Sequence, residues 1–76
     1  MMFVKYKNQP AINLDKIVKI DVFIDDPSYA NFWINFYSNH EVVDQWRFND
    51  MKERDQVLKV LHDRFVVDIT DDIENS

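Results

Sequence analysis

Hydrophobic and polar residues alternate with period two over three consecutive stretches of this chain. In residues 17–24, Val18, Ile20, Val22 and Ile24 share one face, and Ile17, Lys19, Asp21 and Phe23 the other. β-Branched and aromatic residues at that period mark a half-buried strand. Residues 31–37 repeat the pattern, with Phe32, Ile34 and Phe36 against Asn31, Trp33, Asn35 and Tyr37. Residues 42–48 place Val42, Trp46 and Phe48 opposite Val43, Gln45 and Arg47. Asp44 interrupts the apolar side there, which predicts an edge position or a bulge. Ser38-Asn39-His40 joins the last two strands, with Asn39 as the expected positive-φ residue.

The period then changes to that of a helix. Asp50 followed by Glu53 spells a capping box. Met51, Arg54, Val57, Leu58, Leu61 and Phe65 recur at helical spacing and form one apolar stripe. A helix from about Met51 to about Arg64 follows. Beyond it, Phe65, Val67 and Ile69 alternate again, so residues 65–70 read as strand-forming. Near the start, residues 3–7 read as a short strand, Asn8-Gln9-Pro10 as a turn, and residues 11–16 as a connector carrying Ile12 and Leu14 inwards. Asp25-Asp26-Pro27-Ser28 reads as a turn. These elements predict an α+β fold: an antiparallel meander of four or five strands with one C-terminal amphipathic helix on one face. The expected core is Val18, Ile20, Val22, Ile24, Phe32, Ile34, Phe36, Trp46 and Phe48, covered by Val57, Leu58, Leu61 and Phe65. Residues 1–70 form one domain and residues 71–76 an acidic frayed tail.

Composition narrows the function classes. Seventy-six residues make one domain near the lower size limit for independent folding. There is no cysteine, which excludes a disulfide framework, a zinc–thiolate site and a thiol nucleophile. There is no glycine either, which excludes every glycine-rich phosphate loop. Seven asparagines and eleven aspartates stand in at turns, since both tolerate the left-handed region. A net charge of −5 argues against direct binding to nucleic acid, which needs a surplus of Lys and Arg. No apolar run approaches the roughly 18–20 residues of a membrane span, and Met1–Lys7 lacks a signal-peptide core, so a cytoplasmic protein is expected.

The segment Phe48-Asn49-Asp50-Met51-Lys52-Glu53-Arg54-Asp55, placed after consecutive antiparallel strands, resembles the C-terminal part of a truncated pleckstrin-homology-like unit. Together with Ala11–Ile17 leading into a strand, it also resembles small uncharacterised proteins of low-GC bacteria and their phages. The resemblance covers roughly residues 10–65 and implies a meander with a C-terminal helix. The basic loop with which pleckstrin-homology domains bind phosphoinositides has no counterpart here, so lipid binding is not implied.

Candidate chemistry is sparse. His62 and Asp63 are adjacent on a helix and point about 100° apart, so they make no acid–base pair. His40 reads as a turn residue. Asp25-Asp26 and Asp71-Asp72 lack calcium-loop spacing. No catalytic, metal or cofactor site is predicted, and the chain reads as a non-enzyme. The outer sheet face differs: it brings Phe23, Trp33, Tyr37 and Val43 together with Asn35 and Arg47, the composition of an interface. Val67, in the strand-like segment after the helix, is added as a candidate contact. The expected function is a protein-interaction module binding a protein partner or itself, as a homodimer. The competing reading is an acidic inhibitor or nucleic-acid mimic that occupies a basic site on a host protein. Whether residues 1–16 cover the outer face is open at this level.

Overall fold

A computed structural model describes residues 1–25 and 31–74. The elements run β1 (Phe3–Val4), β2 (Ile12–Asn13), a 3-10 turn (Leu14–Lys16), β3 (Lys19–Ile24), β4 (Phe32–Ser38), β5 (Glu41–Phe48), α1 (Met51–Phe65) and α2 (Thr70–Glu74). The fold is α+β, with two antiparallel sheets: β1 pairs with β2, and β3-β4-β5 form a separate meander. The meander thus has three strands, and the predicted N-terminal strand shrinks to Phe3–Val4 because its chain turns back. Gln9 N donates to Tyr6 O at 3.0 Å and Lys7 takes φ 49°. Most of the turn expected at Asp25–Ser28 lies outside the described residues.

The even-numbered side of the meander carries the core. Ile34, Phe36, Trp46 and Phe48 pack with Ile12 and Leu61, and the Phe36 and Trp46 rings meet edge-on with centroids 4.9 Å apart. Residues 1–16 and α1 both lie on this side. Ile12 enters the core, the Tyr6 ring lies tilted against Phe48 with centroids 5.7 Å apart, and the buried Trp46 indole donates to Pro10 O at 2.8 Å. A buried indole N–H needs such a partner. The helix packs chiefly against β4 and β5. Its cover is therefore narrower than the sheet, which corrects the expected core: Val22 and Ile24 on the edge strand β3 remain exposed, and Val18, ahead of the strand, is 66% exposed. Ile17, predicted outward, packs against the core instead.

The irregularity signalled by Asp44 is a bulge. Phe36 faces Asp44 but Tyr37 faces Val42, leaving Val43 as the extra residue. Every side chain beyond a bulge changes face. Val42, predicted on the same side as Trp46 and Phe48, therefore stands with Tyr37 on the outer side. Asn39 has φ 56° in the two-residue loop between Ser38 and Glu41, as its residue type predicts.

Asp50 caps α1, its Oδ1 accepting from Lys52 N at 2.9 Å. The second half of the capping box is diverted: Glu53 Oε1 accepts from the Tyr6 hydroxyl at 3.0 Å and lies 3.5 Å from Lys7 Nζ. That pair latches the N-terminal layer to the start of the helix. Hydrogen bonding to Tyr6, then the charge of Glu53, holds the Lys7 ammonium above its ordinary value. The predicted strand at residues 65–70 does not form. Residues 66–69 are irregular and lead into α2, whose start is fixed by Asp68 Oδ1 accepting from Thr70 N at 2.9 Å and Thr70 Oγ1 at 2.6 Å. Those bonds, the hydroxyl's first, hold the Asp68 carboxyl below its ordinary value. An aspartate two residues before Thr70 favours this local turn over a strand. A short helix thus stands where a frayed tail is expected.

Candidate functional site

Cross-strand register builds the outer face as three rows: Phe23–Trp33–Arg47, Asp21–Asn35–Gln45 and Lys19–Tyr37–Val42. Neighbours in a row lie within contact distance, so the face is a continuous surface. Asn35 sits at its centre and is only 6% exposed, with its Oδ1 accepting from Gln45 Nε2 at 2.9 Å. Around this polar centre the apolar groups are distributed to both ends. Phe23 is 51% exposed, Trp33 and Tyr37 are half-buried, and Val42 and Val43 are exposed. The cations occupy opposite corners. Lys19 Nζ stands 4.9 Å from the Tyr37 ring centroid and 3.5 Å from Asp21. Arg47 Nε donates to Asn31 Oδ1 at 2.6 Å, which holds its stem along the sheet.

Of the predicted site residues, Phe23, Trp33, Asn35, Tyr37 and Arg47 share this face, and Val43 stands at its bulged margin. Val67 belongs elsewhere, in the irregular segment after α1. Residues 1–16 cover the opposite face. Sequence reasoning missed two polar elements. Gln9 Nε2 donates to Arg47 O while Gln9 Oε1 accepts from Arg47 N at 3.3 Å, so one amide side chain imitates a paired strand on the open edge of β5. Asp44 Oδ1 accepts from Gln45 N at 3.0 Å on the same strand. Side-chain capture of outward backbone groups blunts an edge against another strand. The Gln9-Pro10 turn held no periodic signal that could have revealed this.

Arg54 is the second element. It stands on the apolar stripe, is 5% exposed, and lies 5.7 Å from the Phe32 ring centroid. Its Nε and Nη2 donate to Asp55 Oδ1 at 3.1 and 2.9 Å, while its buried Nη1 has no partner among the described residues. His62 and His40 are exposed, and no group of three or more His, Asp or Glu placed to hold a metal occurs among the described residues. No helix among them is long and apolar enough to cross a membrane. No protein-family model, curated protein or solved structure matches this chain.

Proposed function

We propose that this protein is a non-enzymatic interaction module that binds a protein partner through the outer face of its three-stranded sheet. The observation carrying this reading is that both covering layers, residues 1–16 and α1, pack on the other side. The outer face keeps Phe23, Trp33, Tyr37 and Val42 beside Arg47 and Lys19. Solvated sheet faces are ordinarily polar, whereas aromatic residues and arginine are enriched where proteins meet. The blunted edge of β5 favours contact through the face over addition of a strand to that edge.

A photo-crosslinking amino acid placed at Phe23 or Val42, in cells that natively make the protein, tests the reading against positions Lys52 and Lys59 on α1. The outer-face positions should yield a discrete adduct with another protein that is lost with Arg47→Glu. Equal labelling from the helix, or no adduct from the sheet, would end the reading. In lysate, raising the salt before irradiation should leave most of the adduct yield, since apolar contact is little screened; a steep loss would favour an acidic mimic.

A further inference from the structure

A groove of about 480 Å³ runs between β1 and α1, on the side of the molecule away from the outer sheet face. Phe3, Val57, Val60 and Phe65 supply much of its wall, and Lys5 and Arg64 are the charged residues among the described ones lining it. In a chain with 14 carboxylates and a net charge of −5, a groove holding two cations and no carboxylate is a local reversal of sign. The segment that follows α1 has the opposite character. Val67 is 88% exposed and Ile69 is exposed too, interleaved with Asp68, Asp71, Asp72 and Glu74. Exposed aliphatic side chains on a short arm gain by burial, and the arm's charges match the groove's rim. The arm also begins directly after Phe65, itself a groove residue.

We infer that the groove receives the C-terminal arm of a second copy of this chain, in a reciprocal exchange. Val67 and Ile69 enter the partner groove, and the arm's carboxylates face Lys5 and Arg64. Donor and acceptor lie at the same end of α1, so one two-fold rotation satisfies both copies and the contact closes as a dimer. The outer sheet face plays no part in this contact.

Sedimentation equilibrium of the full chain tests the inference. A dimer is expected at about 100 μM, weakened roughly tenfold or more by Val67→Asp with Ile69→Asp in the arm, and likewise by Val60→Asp in the groove. All three positions are exposed, so circular dichroism should stay unchanged. Mixing the arm variant with the groove variant should recover part of the association that each lacks alone, because one of the two reciprocal contacts is then intact. A monomer at every concentration up to that value overturns the inference. So does a dimer indifferent to both variants, or a mixture that stays monomeric. Loss of this dimer leaves the crosslinks from Phe23 intact, so failure here and failure of the outer-face reading are distinguishable.

Discussion

Arg54 occupies a position of the α1 stripe where the helical period calls for an apolar side chain, and it is buried there as a cation. Among the described residues its guanidinium hydrogen-bonds to Asp55, and Nη1 has no acceptor there. A buried donor left unmade costs about 1–3 kcal/mol, and buried ion pairs are often no better than apolar isosteres. Arg54→Met should therefore be neutral or stabilise by up to about 2 kcal/mol in urea denaturation. Arg54→Lys should destabilise, because an ammonium is more strongly hydrated and cannot lie flat near Phe32. A clear loss of stability in the methionine variant would show that the guanidinium makes a net favourable contribution. The positive-φ residues divide in the same way. Asn39 was legible, since its residue type tolerates that conformation. Lys7 was not, because lysine has no such preference and is held there by the Tyr6–Gln9 turn and the contact with Glu53.

At the scale of elements, alternation and capping specified β3, β4, β5 and α1 to within a few residues. They failed where a local side-chain bond outcompeted the pattern. Asp68 turns residues that alternate like a strand into the start of α2. Bulging at Val43 moves Val42 across the sheet. The β5 edge offers the sharpest check. Gln9→Ala frees both backbone groups of Arg47, which should cost about 0.5–1.5 kcal/mol per bond lost. Hydrogen exchange at the Arg47 amide should accelerate while that of the Ile34 amide, on the central strand, does not. Unchanged exchange at Arg47 would mean that Gln9 does not hold the edge in solution.

Across the whole molecule, the deciding event is which side of the meander receives the N-terminal layer. Ile12 lies in the core through that choice, so Ile12→Ala should cost about 2–5 kcal/mol. Val18→Ala, at a position the alternation assigns to the core, should stay within about 1 kcal/mol. Chemical denaturation giving the reverse order would place residues 1–16 on the other face. Period and residue type, which act between near neighbours, determined the α+β class, the positions of β3, β4 and β5 though not the expected four or five strands of one meander, the cap at Asp50 and the grouping of Phe23, Trp33, Asn35, Tyr37 and Arg47. They could not determine what lies against either face, because that depends on contacts between residues far apart in the chain. Tertiary packing placed residues 1–16 beside α1 over β4 and β5, left β3 half covered and buried Arg54. It left the outer face uncovered by either layer, because both bury their apolar side chains against the same core.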